Sequence, residues 1–122
     1  MRKSTFLALP VLFFTFLSHA ETQKPLSLQL TECSVLYSNL GALNEENDKD
    51  HSQTEQLYVS SEKFLNAAYT HAKKVEGNNR RFIDLQLPVI MKKWAKHIAS
   101  NFQDPNAQSQ IAFCKGLEKT KI

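Results

Sequence analysis

The sequence predicts an all-α fold: a small four-helix bundle-like domain whose first and last helices are linked by a disulfide. Three observations lead to this fold class. Apolar residues recur every three or four positions along four segments, which is the period of one helix face. Glycine and proline are scarce, three and four among 122 residues, and the prolines lie near the predicted helix ends. Cys33 and Cys114 fall within the apolar positions of the first and the fourth segment.

The first predicted helix follows a loose entry that contains Pro25. From Leu30 onward its apolar positions are Cys33, Leu36, Tyr37, Leu40 and Leu43. This spacing of three and four residues places them on one helix face. The leucines at positions 26, 28 and 30 alternate with polar residues, so an extended segment before the helix is an alternative. Gly41 and the polar run from Asn44 to Ser52 predict the end of the helix.

The second helix has the clearest start and end signals in the chain. Ser52 and Glu55 form an S-x-x-E capping box, in which each side chain satisfies a free backbone N–H group of a starting helix. The apolar stripe behind it consists of Leu57, Phe64, Leu65, Ala68, Ala72 and Val75. Phe64 lies at the centre of this stripe, so we expect it to be buried. The sequence Gly77-Asn78-Asn79 predicts the helix end, because these residues tolerate the left-handed conformation.

The third helix is predicted from about Leu85 to Phe102. Pro88 clashes with the carbonyl four residues before it, so the helix begins near this proline or kinks there. We expect Phe82, Ile83 and Leu85 to pack as a short turn before that point. The positions predicted to face inward are Ile90, Met91, Trp94, Ala95, Ile98 and Phe102.

The fourth helix begins with Asp104 as its N-cap and Pro105 at its first position. Aspartate is favoured at the N-cap and proline at the first helical position. Its inward positions are Ala107, Ile111, Cys114 and Leu117. Gly116 and the lysines near the terminus predict a loosened end. Four amphipathic helices joined by short links favour a bundle around one apolar core.

The first twenty residues predict a secretory signal peptide. Arg2 and Lys3 are followed by a twelve-residue apolar run that begins at Phe6. The sequence Ser18-His19-Ala20 then places small residues at −3 and −1 of a cleavage site. The run is too short to span a bilayer and no cysteine follows the site, so we expect no stable membrane anchor. Residues 21–122 then form a single helical domain, exported to the bacterial periplasm or, as the alternative, to the extracellular space.

Both cysteines lie in the predicted mature domain, and in an oxidising compartment an even cysteine count indicates a disulfide. Two buried free thiols are the alternative. A metal or redox pair fits less well, because Cys33 and Cys114 are 81 residues apart and no C-x-x-C motif is present. Closing so long a loop stabilises a fold by roughly 4 kcal/mol in the chain-entropy treatment.

Charge is divided between the two halves of the predicted domain. Residues 21–62 hold eight acidic residues and two lysines, a balance of −6, whereas residues 63–122 hold eleven basic and four acidic residues, a balance of +7. Two interpretations explain this division of charge. The two halves form solvated faces of opposite sign, or the basic half forms a surface that binds an acidic partner. Nucleic acid is not expected as a partner, because the compartment disfavours it and no binding motif is present.

No motif for catalysis is present, and we expect neither an enzyme nor a cofactor. Ser60-Ser61 lacks a G-x-S-x-G context, and the histidines form neither H-E-x-x-H nor inward Glu-x-x-His pairs. One stretch matches the ligand spacing of a calcium loop, with Asn44, Glu46, Asp48, Ser52 and Glu55 at positions 1, 3, 5, 9 and 12. Lys49 occupies position 6, where the sharp turn needs glycine, so a solvated acidic connector explains this stretch better.

The remaining feature is a basic stripe on the third helix, formed by Lys92, Lys93, Lys96 and His97. It lies opposite the inward residues Ile90, Trp94 and Ile98. An ordinary solvated face, a docking surface for an acidic protein and a membrane-surface helix are the three interpretations.

The sequence therefore predicts a small exported binding protein of the immunity or inhibitor type, which docks another protein through its charged faces. An acid-stress periplasmic chaperone is the first alternative, in which the acidic residues between Glu45 and Glu62 are protonated and the helices loosen. A metal-binding protein that uses the Asn44–Glu55 loop is the second. All three rest on architecture and compartment, which many unrelated proteins share.

Overall fold

A computed structural model describes residues 24–47 and 51–120. The described chain forms four α-helices: α1 (Leu26–Asn47), α2 (His51–Lys74), α3 (Arg80–Ala95) and α4 (Pro105–Glu118). A short 3-10 helix, Ile98–Ser100, lies between α3 and α4. The described residues contain no strand, so the predicted all-α, bundle-like fold is confirmed. The predicted signal peptide, residues 1–20, lies outside the described residues and stays a prediction.

Helix α1 is the centre of the fold. Residues 31–37 are all buried, so over two turns every side of this helix is covered. Helix α2 packs along it in the antiparallel direction, since Asn44 contacts Thr54 near one end and Ser27 contacts Glu76 near the other. Helices α3 and α4 also pack on α1. None of the helices in the described part of the chain is both long and apolar enough to span a membrane.

The buried polar residues of α1 have hydrogen-bond partners, as burial in an apolar interior requires. The Thr31 hydroxyl donates to the Ser27 carbonyl at 2.8 Å. The Ser61 hydroxyl of α2 donates to the Ser34 carbonyl at 2.7 Å. These bonds allow polar side chains on a helix that is surrounded by other helices.

The Cys33–Cys114 disulfide fastens α4 to α1, as predicted. The two Cα atoms are 5.5 Å apart, and both cysteines are fully buried. Phe64, predicted to be buried, packs in the same core with its ring edge against Tyr37, the ring centroids 5.3 Å apart. A disulfide is consistent with an oxidising, exported location.

The structure decides the start of α1, which the sequence left open, and shows that Gly41 was wrongly predicted to end the helix. The helix begins at Leu26 rather than as an extended segment, because the N–H groups of residues 28 and 29 already bond to the Pro25 carbonyl. The alternating leucines resemble a strand pattern, but they belong to a helix whose residues 31–37 are buried on every side. Gly41 does not end the helix. It lies within α1 where a Cβ atom would come within 2.9 Å of the Tyr58 ring, so this glycine permits close packing.

The predicted bounds of the third helix are also wrong. Helix α3 begins at Arg80 and continues through Pro88, so the segment expected to be a turn before it is helical. It ends at Ala95, and the chain then reverses through Asn101 and Phe102, whose φ angles are 55° and 59°. This reversal returns the chain towards α1, where Cys114 meets its partner. Phe102 is buried as predicted, but outside the helix.

Several inward assignments change as a result. Met91, Ala95 and Ile98 are exposed rather than inward, and so is Val75 near the end of α2. The N-cap of α4 is confirmed, since Asp104 accepts a hydrogen bond from the Ala107 N–H at 3.2 Å. The end of α2 is confirmed as well, because Gly77 has a φ of 72°. Helix α2 begins at position 51, one residue before the predicted cap.

Candidate docking surface on the third helix

Helix α3 presents two sides of different character. Its inner side is buried on α1 through Ile83, Ile90 and Trp94, which are spaced by seven and four residues. Its outer side, continued by the 3-10 helix, is exposed. We call the following exposed residues the α3 face: Leu85, Val89, Met91, Lys92, Lys96 and Ile98. Four of these six side chains are large and apolar, with Met91 54% exposed. An exposed apolar cluster of this kind is typical of an interaction site.

The structure divides the predicted basic stripe. Lys93 does not face solvent freely, because its ammonium forms an ion pair with the buried carboxylate of Glu32 on α1. Lys24 and the indole N–H of Trp94 donate to the same carboxylate, at 3.1 and 3.0 Å. Lys93 therefore attaches α3 to the core.

Burial alone would raise the pKa of the Glu32 carboxyl. The hydrogen bonds and positive charges of Lys93 and Lys24 outweigh that effect, so the pKa of Glu32 is lowered. Burial likewise acts to lower the pKa of Lys93, and the bond to Glu32 outweighs it and raises that pKa. Both groups are therefore charged near neutral pH.

His97 holds the corner that follows α3. Its Nδ1 atom lies 2.8 Å from the Asp104 carboxylate, and its ring packs against Trp94 with centroids 4.6 Å apart. The Ser100 hydroxyl donates to the other oxygen of Asp104 at 2.7 Å. The bonds from His97 and Ser100 lower the pKa of Asp104 to about 2. His97 thus stabilises the turn before α4.

Serine, histidine and aspartate come together at this corner, but not in the order of a catalytic triad. A triad places the histidine between the carboxylate and the nucleophile. Here the Ser100 hydroxyl and the His97 ring both bond to Asp104, which lies in the middle. This arrangement fixes a helix N-terminus and does not activate a hydroxyl.

Lys92 and Lys96 are the two residues of the predicted stripe that remain available to a partner. Both are exposed, and no ion pair within the described part of the chain involves either one. They lie one helical turn apart, among the apolar residues of the α3 face. The structure thus places two cations, which form no ion pair with any described residue, among exposed apolar side chains.

A groove of about 560 Å³ runs beside the α3 face, between α1, α2 and α3. Its apolar lining consists of Val35, Leu65, Leu87, Met91, Ala95 and Ile98. Near the loop that joins α2 to α3, the two helices are tied by the Tyr69 hydroxyl, which donates to Asp84 at 2.6 Å, and by Arg80 stacked on the Tyr69 ring. The groove lies farther along the helices, where Ser61 and Leu65 of α2 line it together with residues of α1 and α3.

The predicted calcium-loop residues lie largely within helices. Residues 44–47 belong to α1 and residues 51–55 to α2, while residues 48–50 lie outside the described residues. The Asn44 amide donates to the Thr54 hydroxyl at 2.7 Å, and the Glu45 carboxylate accepts from Tyr58 at 3.0 Å. Among the described residues, no three histidine, cysteine or acidic side chains come together as metal ligands would.

Sequence reasoning missed three carboxylates that link the helices. Glu32 links α1 to α3. Glu76, just after α2, accepts from the backbone N–H of Ser27 at 3.1 Å and from its hydroxyl. Glu118 of α4 accepts from Tyr37 of α1 at 3.1 Å and from Ser60 of α2.

Burial, together with Glu118, raises the pKa of the Tyr37 hydroxyl. The one sequence signal for such a link is Glu32 itself, a charged residue inside a run that is otherwise apolar or small. We call Glu32, Glu76 and Glu118 the linking carboxylates.

Comparison of the chain with protein-family models, with curated proteins and with solved structures gave no match.

Proposed function

We propose that this protein is a small exported binding protein of the immunity or inhibitor type, which docks an acidic surface of a partner protein through the α3 face. The periplasm is the proposed compartment. The observation that supports this function is the joint exposure of apolar side chains and two unpaired lysines on one helix, beside an apolar groove.

The two kinds of residue have different roles in such a contact. Burial of Leu85, Val89 and Met91 contributes affinity at roughly 25 cal/mol for each Å² of apolar surface removed from water. Lys92 and Lys96 attract an acidic partner and raise the association rate more than they slow dissociation. Because exposed charges are screened by salt, this attraction weakens as ionic strength rises.

Site-specific cross-linking in the producing cells tests the proposal. A photoreactive amino acid replaces Met91 on the α3 face or, as the matched control, Phe113, an exposed apolar residue on α4 (43% exposed). We expect a defined cross-linked product from position 91 and none from position 113.

A charge reversal tests the role of the lysines in the same assay. K92E/K96E should greatly reduce the product from position 91, whereas K73E/K74E should leave it unchanged, because that control alters charge equally on exposed lysines of α2. Equal cross-linked products from positions 91 and 113 would rule out docking by the α3 face. A product from position 91 that K92E/K96E does not change would rule it out as well.

A second candidate function, the acid-stress chaperone, is supported by the linking carboxylates. Glu32, Glu76 and Glu118 each join α1 to another element as hydrogen-bond acceptors. The pKa of Glu32 is lowered in the folded protein, so its protonation in acid would weaken these bonds, loosen α3 from α1 and uncover apolar surface.

Two measurements test this second function. Binding of a hydrophobic dye should rise as the pH falls from about 5 to about 3, roughly the range in which carboxyl groups take up protons. At the lower pH the protein should also keep an acid-unfolded dehydrogenase from aggregating. Dye binding without protection of the dehydrogenase would show acid unfolding alone and dismiss the chaperone.

A further inference from the structure

A cavity of about 720 Å³ lies between α1, α2 and α4, apart from the α3 face. Its size falls within the range of roughly 300–1,000 Å³ that is usual for small-molecule sites in proteins. Such sites combine apolar walls with a few polar groups that orient the ligand. The apolar side chains that line this cavity are Leu40, Leu43, Leu57 and Ile111.

The carboxylate of Glu118 lines the cavity and is held in place by two hydroxyl groups. Its Oε1 atom accepts from Tyr37 at 3.1 Å, and its Oε2 atom accepts from Ser60. Tyr37 and Ser60 are buried and also line the cavity, so they hold the carboxylate from its inner side. A carboxylate has about four lone-pair positions, so these two bonds leave others free. Glu118 is exposed as a residue, and a ligand ammonium group can reach it.

Two lysines line the same cavity and supply the opposite charge. Lys115 and Lys119 are one helical turn apart, and both are exposed. Neither forms an ion pair within the described residues. Lys115 lies three residues before Glu118, so these two side chains are neighbours on the helix surface. The cavity therefore presents a fixed anion and two free cations close together.

This combination favours a ligand that carries both charges. A simple anion is attracted by the two lysines and repelled by Glu118, and a simple cation meets the reverse. In a zwitterion whose charges are close together, each charge can meet its opposite. The apolar walls add a preference for an apolar side chain, because burial of apolar surface is favourable.

We propose that this cavity binds a small zwitterion with an apolar side chain, either a free α-amino acid or a short peptide with unblocked ends. The ligand's ammonium group donates to Glu118, and its carboxylate accepts from Lys115 and Lys119. Its apolar side chain packs against Leu57 and Ile111. This site goes beyond the proposed function and shares no residue with the α3 face.

Two-dimensional NMR titration of the mature protein with L-leucine and with the dipeptide Leu-Leu tests the proposal. We expect saturable shifts of the Leu57 and Ile111 amide signals with at least one of them, and the tighter binder identifies the source of the zwitterion. Acetylation of the ligand's amino group and amidation of its carboxyl group each remove one charge. Each blocked ligand should bind at least about tenfold more weakly, since a hydrogen bond to a charged group is worth that much.

Variants of the charged residues assign each contact. Glu118→Gln keeps an acceptor oxygen for Tyr37 or Ser60 and loses the charge, so it should lose the preference for the free over the acetylated ligand. K115M/K119M should instead lose the preference for the free over the amidated ligand. K73M/K74M removes two exposed lysines outside the cavity and should bind like the wild type. Circular dichroism checks the folding of each variant, and the blocked ligands test the wild type whether or not a variant folds.

Absence of binding by both leucine and Leu-Leu up to about 10 mM overturns the proposal. An acetylated ligand that binds as tightly as the free one also overturns it, because the cavity then binds an anion alone. Both results leave the proposed function standing, since cross-linking from position 91 depends on different residues. Loss of that cross-link, in turn, leaves the zwitterion site in place.

Discussion

Replacement of Glu32 tests how α3 is held on the core. The Glu32 carboxylate is 3% exposed and accepts hydrogen bonds from Lys24, Lys93 and Trp94. Glu32→Ala leaves the buried indole N–H of Trp94 without its acceptor, which costs about 1–3 kcal/mol. It also leaves Lys93 without its counter-ion. Removal of one partner from a buried pair costs about 3–5 kcal/mol.

The two lysine side chains are 44% and 47% exposed, so they regain water when the carboxylate is removed. We therefore expect Glu32→Ala to lower the free energy of unfolding by about 3 kcal/mol, the low end of that range. Glu32→Gln keeps an oxygen that accepts from the Trp94 indole and loses only the charge. It should cost about 1–2 kcal/mol. Glu46→Gln, an exposed position on the same helix, should change stability by less than about 0.5 kcal/mol.

The pH dependence of stability gives an independent readout for Glu32. Its pKa in the folded protein is below the ordinary value of 4.5, so its charged form stabilises the fold above that pH. This contribution is lost as the pH falls below 4.5 through the lowered pKa. Glu32→Gln has no such contribution to lose. Its stability should therefore fall less between neutral and acidic pH than that of the wild type.

Urea unfolding measures all of these quantities with two signals. Fluorescence of Trp94, the only tryptophan, reports on the α1–α3 contact, and far-ultraviolet circular dichroism reports on the helices as a whole. If Glu32→Gln matches the wild type in stability at neutral pH and in its loss towards acid, then Glu32 does not hold α3 and the reasoning is refuted.

The other predictions concern the core, the disulfide and two neighbouring lysines. Cys114→Ala should lose about 2–5 kcal/mol of stability by urea unfolding, as is typical when a small secreted domain loses a disulfide, and peptide mapping of the wild type should recover Cys33 linked to Cys114. Phe64→Ala should cost about 3–5 kcal/mol, whereas the exposed Phe113→Ala should cost under about 0.5 kcal/mol; equal losses would contradict the assigned core. Lys93→Met should lower the melting temperature more than Lys92→Met does, because Lys93 of these two lysines is the one paired with Glu32.

The sequence predicted the number of helices, the disulfide and the cap of α4, because each depends on local or compositional signals. The Asp104-Pro105 pair sets a helix start through bonds within four residues, and the two cysteines have only each other as partners because the sequence contains no third cysteine. The α2 stripe around Phe64 was also predictable, since α2 has one buried and one exposed side.

The errors in α1 and α3 have a common cause in tertiary packing. A one-sided apolar period identifies a helix that lies at the surface, but α1 is covered on all sides over residues 31–37 and buries Ser27, Thr31 and Glu32 among its leucines. Local rules also placed the start of α3 at about Leu85, near Pro88. Contacts of Ile83 with the core extend the helix two turns before that proline. Contacts between elements of this kind have no counterpart in a local pattern.

The candidate surface shows how a buried residue decides which surface residues can act. Successive residues of a helix point about 100° apart, so a side chain that is fixed inward also fixes the direction of its neighbours. Glu32 binds both Lys93 and Trp94, which sets the rotation of α3 about its axis. With that rotation set, Lys92 lies on the exposed side of α3, as Val89 does. Lys92 and Lys93 look equivalent in the sequence, and the carboxylate on α1 gives Lys93 a structural role and leaves Lys92 exposed.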